Sequence, residues 1–195
     1  MAIELVVGLG NPGDAYAATR HNVGFRVVDA VAQLLRAGEW RRELKSELSA
    51  TGRGRRVWLA KPRTYMNCSG EAVAELLSGL EVSPAQCLVV VDDVDLPLGR
   101  LRLRRSGGPG THNGLRDIVD QVGTGFPRLR LGVRGSAPWA DLAEYVLAPF
   151  ESGELEVAEG MIKLAGDAVS YSVFEGLQRA MNRFNQAPNS GEPLD

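Results

Sequence analysis

The sequence predicts an α/β fold: one domain on a twisted mixed, partly parallel central sheet surrounded by helices. Three observations lead there. Short apolar, β-branched runs recur at Ile3 to Leu9, Val57 to Ala60, Leu88 to Val91 and Leu129 to Val133. Segments with apolar residues at helical spacing stand between them. The first three runs close on glycines, a proline or acids, as strands do where they pass into loops.

Taken in order, Ile3 to Leu9 reads as a buried strand, and Val27, Val28, Val31, Leu34 and Leu35 mark a helix over Val23 to Leu35. Val57 to Ala60 reads as a strand stopped by Pro62. Gly70 to Leu80 reads as a helix with Ser69 as its N-cap. Leu88 to Val91 is a buried strand ending in acids, and Arg100 to Arg105 alternates as a strand. Asn113 to Val122 reads as a short helix and Leu129 to Val133 as another strand. Glu154 to Phe184 is helical, with a break expected near Ser170. A chain of 195 residues holds one such domain, expected over 1–185, followed by a polar tail at 186–195 expected to be disordered.

The formal net charge of −2 does not announce a nucleic-acid binder, so any RNA contact must come from local clustering of arginine. Cys68 and Cys87 stand in no metal-ligand spacing, which points to a reducing compartment. The N-terminus lacks a basic segment and a long apolar core, and no run approaches the roughly 20 apolar residues that span a bilayer. A soluble, cytoplasmic protein with no membrane partner is expected.

Gly8-Leu9-Gly10-Asn11-Pro12-Gly13 matches the dinucleotide fingerprint G-x-G-x-x-G after a strand. Pro12 removes a backbone donor from that loop, no helix opens at Gly13, and the nearest candidate for the acid that should end a second strand, Asp29, lies inside a helical pattern. The two histidines, His21 and His112, each precede Asn and a nearby Gly just before an expected helix. Such loops carry chemistry in α/β proteins, although a loop histidine also serves as a helix cap. A histidine acting on water needs a carboxylate to orient it. Asp92-Asp93-Val94-Asp95 ends a buried strand and supplies candidates. A Mg²⁺ site and a solvated acidic loop remain open for the same run. No G-x-S-x-G is present, and the flanks of Cys68 suggest no activated thiol.

Several segments together resemble the bacterial-type peptidyl-tRNA hydrolases. They are Val7 to Gly13 with Tyr16 and Thr19 to Gly24; Lys61-Pro62 with Thr64 to Asn67 and Ser69-Gly70; Asp92 to Gly99; Gly107-Gly108, Gly110 and His112 to Leu115; and Arg128 to Gly132. Each motif is weak alone, and their order over roughly residues 1 to 185 is what carries the resemblance. It implies a monomeric α/β enzyme, without metal or organic cofactor, that hydrolyses the ester joining a peptide to the acceptor end of tRNA. It further implies His21 as the base, Asp92 as its orienting carboxylate and Asn11 as an amide at the reacting centre. Asn67 and Asn113 would bind the peptide, with Tyr16, Met66 and His112 completing the pocket.

The chain departs from the pattern at Val91, Pro109, Thr111, Arg134-Gly135 and the segment 138–142, which lacks a lysine often found there. Arg100, Arg102 and Arg104 alternate with leucines, as do Arg128 and Arg130, so the two strands, if neighbours, would form a basic stripe; a solvated sheet face whose apolar side packs on the core is the alternative. The resemblance sets Arg104 and Arg130 near tRNA. Arg53, Arg55 and Arg56 read as a solvated turn. An RNA-binding module without hydrolytic activity is the rival from another class.

Overall fold

A computed structural model describes residues 2–51, 55–136 and 139–186. The tail beyond 186, together with Arg53 and Pro138, lies outside the described residues. The strands are β1 (Leu5–Gly8), β2 (Arg41–Glu43), β3 (Ser46–Ala50), β4 (Trp58–Pro62), β5 (Cys87–Pro97), β6 (Leu101–Arg104) and β7 (Arg128–Arg134). The helices are α1 (Val23–Leu34), α2 (Ser69–Gly79), α3 (Asn113–Val122), α4 (Leu142–Leu147), α5 (Leu155–Phe174) and α6 (Leu177–Phe184).

The strands form one seven-stranded sheet in the order β2-β3-β4-β1-β5-β7-β6. β4, β1, β5 and β7 run parallel, and β2, β3 and β6 complete the sheet through antiparallel pairings. Alternation along the strands divides the core. Val6, Leu88, Val90, Leu129 and Leu131 pack with residues of α1 and α5, whereas Leu5, Val7, Val89 and Val91 pack with residues of α2 and α3. Both faces of the parallel strands are therefore covered, which is why they read as continuous apolar runs. β1 lies between β4 and β5, so the chain leaves it to opposite sides and opens a crevice beyond the C-terminal strand ends.

The glycines of the opening motif have a packing role. A Cβ on Gly8 would collide with Gly24 O, and one on Gly24 would lie 2.5 Å from Leu9 O. Gly10 faces the Phe25 ring, 2.8 Å from a would-be Cβ. Close approach of α1 to β1 thus accounts for the fingerprint without a pyrophosphate.

Some expected boundaries move. β4 includes Pro62 and β5 continues through the acids to Pro97. Ser69 begins α2 rather than capping it, and its hydroxyl donates to Met66 O at 2.7 Å. The long C-terminal helix passes Ser170 unbroken and ends before Gly176, whose φ of 93° no other residue type adopts easily. The β2–β3 hairpin and α4 have no counterpart among the elements expected from sequence. No helix among the described residues is long and apolar enough to cross a membrane.

Candidate active site

The loop after β1 carries Asn11, and Asn22 fixes it from the N-terminus of α1. Asn11 N–H donates to Asn22 Oδ1 at 2.8 Å, and Asn22 Nδ2 donates to Asn11 O at 2.9 Å. The side chain of Asn11 is also set: its Oδ1 accepts the Met66 backbone N–H at 2.8 Å. Its amide nitrogen is the group left over, with no protein partner among the described residues, and Asn11 lines a cleft. That orientation presents an N–H donor to whatever occupies the cleft.

His21 sits in the 3-10 turn Arg20–Asn22 that leads into α1. Its Nδ1 lies 2.9 and 3.0 Å from the two carboxylate oxygens of Asp92. An ionised carboxylate only accepts, so Nδ1 carries the hydrogen and Nε2 keeps its lone pair. Nε2 has no protein partner among the described residues. Asp92 is almost wholly buried at the end of the apolar part of β5, with 2% exposure. Burial alone would push its pKa up, but the His112 and His21 imidazoles outweigh it and hold the carboxyl below the usual range.

His112 is the N-cap of α3. Its Nδ1 accepts Leu115 N–H at 3.1 Å, and its Nε2 lies 3.0 Å from Asp92 Oδ1. One carboxylate therefore receives both imidazoles, whose centroids are 4.9 Å apart. Asp93 does not join the histidines: it pairs with Arg130 at 3.1 Å, its Oδ1 accepts Asp95 N–H, and both Asp93 and Arg130 line the same cleft. Asp95 is exposed. The acidic run therefore does not converge on one point.

The donor atoms of His21, Asp92 and His112 lie within 4.8 Å of one another, as three ligands of a metal would. The tautomers argue against that use. His112 spends its Nδ1 lone pair on Leu115 N–H, so neutral His112 keeps a hydrogen on Nε2. A cation at Nε2 would require an imidazolate or the loss of the cap. The set fits a carboxylate receiving two N–H donors better than a metal centre.

The cleft over these residues holds about 650 Å³. It brings together eight of the residues expected from sequence: Asn11, His21, Met66, Asn67, Asp92, His112, Asn113 and Arg130. Tyr16 and Arg104 are not among its lining residues. Tyr65, Asp93, Val94, Thr111, Arg116 and the apolar face of α4 (Leu142, Ala143, Val146 and Leu147) also line it; Tyr65, Asp93 and Val94 stand inside the motifs, whereas no motif reveals Arg116 or the face of α4. Asp141 is a readable signal for α4, since its carboxylate accepts Ala143 and Glu144 N–H as an N-cap. Asn22 belongs to the same motif as His21, but its clamp on Asn11 emerges only in three dimensions. Asn113 is exposed, and its Oδ1 accepts from Arg116 at 3.0 Å, leaving its amide N–H groups for a ligand. Cys87 is buried, and burial pushes its thiol up to about 12. Neither cysteine lines the cleft.

β6 and β7 are antiparallel neighbours, with Arg102 opposite Arg130 and Arg104 opposite Arg128. The arginines do not all act alike. Arg102 and Arg104 are exposed, while Arg128 has 1% exposure and donates to the carbonyls of Gly107, Gly108, Thr124 and Phe126. Burial and the nearby Arg130 lower its pKa to about 10. Arg128 is thus a fastening of the 107–110 loop and no part of a phosphate-facing stripe. Arg130 is half-buried and divides its guanidinium between Asp93 and the carbonyls of Gly108 and Pro109.

A mixed α/β sheet that delivers a carboxylate-held histidine and a fixed side-chain amide to one cleft has the arrangement of a hydrolase. A profile of the family described as Peptidyl-tRNA hydrolase matches residues 5–192, and the chain belongs to that family. The peptidyl-tRNA hydrolase of Chloroflexus aggregans is 50% identical over 185 residues, covering 93% of this chain and 98% of that one. That of Aquifex aeolicus is 45% identical, covering 95% and 98%. A crystal structure of the Acinetobacter baumannii peptidyl-tRNA hydrolase superposes with a TM-score of 0.87 at 35% identity, covering 94% of each chain.

Proposed function

We propose that this chain hydrolyses the ester between a peptide and the 3′-terminal ribose of tRNA, with water activated by His21. The observation that carries the reading is the pair of contacts from His21 Nδ1 to Asp92, which leave Nε2 as a basic lone pair facing the cleft. A water on Nε2 gives its proton to the imidazole as its oxygen attacks the peptide carbonyl. Asp92 stabilises the imidazolium that forms. The carbonyl oxygen gains negative charge, and the Asn11 amide N–H is the fixed donor for it. The ribose oxygen then leaves with the proton from the imidazolium, so no covalent intermediate with the protein forms. Side-chain amides at Asn67 and Asn113 suit backbone groups common to all peptides, and Met66 and His112 wall the same space. Tyr16 lies outside the cleft lining, so its part in binding belongs to a substrate longer than the cleft.

Arg104 and Arg130 are proposed phosphate contacts for the tRNA. The same reading holds that the protein works in the cytoplasm as a monomer, without a cofactor, and returns free tRNA to translation from stalled peptidyl-tRNA. Incubation with an N-blocked aminoacyl-tRNA, scoring free tRNA, is the test. Release that falls by about 10²–10⁴ in His21→Ala, with an unchanged melt, supports it. Binding of the substrate without release by the wild-type protein would instead favour an RNA-binding module.

A further inference from the structure

α4 is six residues long, too short to persist as an isolated helix, yet it forms the apolar wall of the cleft. Leu142 and Leu147 remain 36% and 42% exposed there, facing open space. Something must hold this wall at its position, and the contacts converge on Arg20. Arg20 N–H donates to Ala148 O at 3.0 Å, directly after α4, and the neighbouring Thr19 bridges to Pro149. The Arg20 guanidinium donates to Pro149 O and, at 2.6 Å, to Glu154 Oε2. Its Cζ lies 4.3 Å from the centroid of the Tyr145 ring, on α4 itself. Tyr145 in turn donates its hydroxyl to Val133 O and accepts Gly135 N–H, both at 2.8 Å, which ties α4 to the end of β7.

We propose that Arg20 is a positioning residue that fastens the α4 wall to the turn bearing His21. Arg20 and His21 are adjacent in the chain, so the wall is fastened to the turn that bears the base, while His21 keeps its own hold through Asp92. The Arg20 side chain is 2% exposed and its Nε has no partner among the described residues, so part of its donor capacity goes unmet in exchange for this placement. A lysine cannot reproduce it, because an ammonium lacks both the fork and the flat face that meets Tyr145. The proposal rests on the hydrolase reading for its kinetic arm only.

Arg20→Lys and, as a second variant outside the His21 turn, Tyr145→Leu are compared with the wild-type protein in two measurements. The first is hydrogen exchange of the backbone amides at 142–149, which needs no turnover. The second is steady-state hydrolysis of an N-blocked aminoacyl-tRNA. Expected is faster exchange confined to 142–149 and a KM raised by about tenfold, with kcat changed much less, as loss of a binding wall requires. A lower melting temperature with unchanged KM and unchanged exchange at 142–149 in the folded variants overturns the proposal. If Arg20→Lys does not fold, Tyr145→Leu is read against Tyr145→Phe, which keeps the ring over Arg20 and loses only the hydroxyl: faster exchange at 142–149 in Tyr145→Leu than in Tyr145→Phe supports the proposal, and equal exchange overturns it. If the wild-type protein releases no tRNA, the hydrolase reading has failed, and the exchange data still decide whether Arg20 anchors α4.

Discussion

His112 Nδ1 accepts the backbone N–H of Leu115 at 3.1 Å, and this contact limits what His112 can do. With that lone pair engaged, Nε2 carries the hydrogen and donates it to Asp92. His112 is therefore no base. It is a helix cap and a second donor to the carboxylate that orients His21. The two duties separate by substitution. His112→Ala should cost about 1 kcal/mol of stability through the lost cap. His112→Asn restores a capping oxygen and should recover most of that stability, but its side chain is too short to keep Asp92. Both variants should lose kcat by about tenfold, less than His21→Ala, because His21, the proposed base, is kept. Full activity in His112→Asn would show that the Asp92 contact has no kinetic role.

Asp92 and Asp93 are adjacent in β5 and line one cleft, but they have different partners, the histidines for Asp92 and Arg130 for Asp93. Asp92→Asn keeps the size but removes the charge that stabilises an imidazolium. In serine proteases the same exchange, at the aspartate that orients the catalytic histidine, lowers kcat by about 10⁴. In the proposed mechanism the nucleophile is water, and a loss on the order of 10²-fold or more is expected. Asp93→Asn should leave kcat within a few-fold. Purified variants with matching melts decide it, and the reverse ranking would remove Asp92 from the dyad.

The two imidazoles hold Asp92 below the usual carboxylate range, against the effect of burial, so it also links stability to pH. A carboxyl with a depressed folded pKa contributes stability that is fully present above its unfolded value. That contribution is lost as the pH falls through the folded value. Asp92→Asn should therefore melt below wild type at neutral pH. The gap should narrow as acid is added from about pH 4 downward, where the unfolded wild-type chain takes up the proton first. A gap that widens over that range would mean that Asp92 is protonated in the native protein.

Much of this geometry is open to sequence reasoning because it depends on period and order. The alternation of β5 gives Asp92 and Asp93 different partners, even though the apolar pattern alone ends the strand at Val91. β5 continues because each acid finds its own compensation, two imidazoles for Asp92 and a guanidinium for Asp93. What is not legible depends on distant partners or on turns without a signature. The β2–β3 hairpin turns through Leu44 and Lys45 at φ of 48° and 51°, where Asn-Gly would have announced it. α4 has one turn and a half of pattern, and its anchor stands 128 residues away at Arg20. The buried state of Arg128 is hidden for a similar reason. Alternation assigns it a face but does not show that the 107–110 loop covers that face.

The tautomer of His112 also predicts how the site treats metals. Wild-type enzyme dialysed against EDTA should keep its activity on refolded tRNA substrate. Activity lost to EDTA and restored by Mg²⁺ or Zn²⁺, with tRNA folding controlled, would revive a metal centre on His21, Asp92 and His112.

The arginines of β6 and β7 should differ in their response to salt. Each phosphate contact releases condensed counterions, so removing one should reduce the slope of log affinity against log salt by roughly 0.7–0.9. Arg104 is exposed and its side chain makes no protein hydrogen bond among the described residues, so its whole charge is available to RNA. Arg104→Ala should raise KM, flatten the slope by about that amount, and leave the melt unchanged. Arg130 already spends part of its charge on Asp93 at 3.1 Å. Arg130→Ala should flatten the slope less and lower the melt, since it leaves a nearly buried Asp93 without its partner. Adding Asp93→Asn to Arg130→Ala should recover stability without restoring the slope, which separates the ion pair from the phosphate contact. Arg128→Ala is the contrast, with a large loss of melting temperature and no change in slope, because its guanidinium faces carbonyls. Measured KM across a salt series for the four variants tests the set. Equal slopes for Arg104→Ala and wild type would return β6 to a solvated face with no RNA on it.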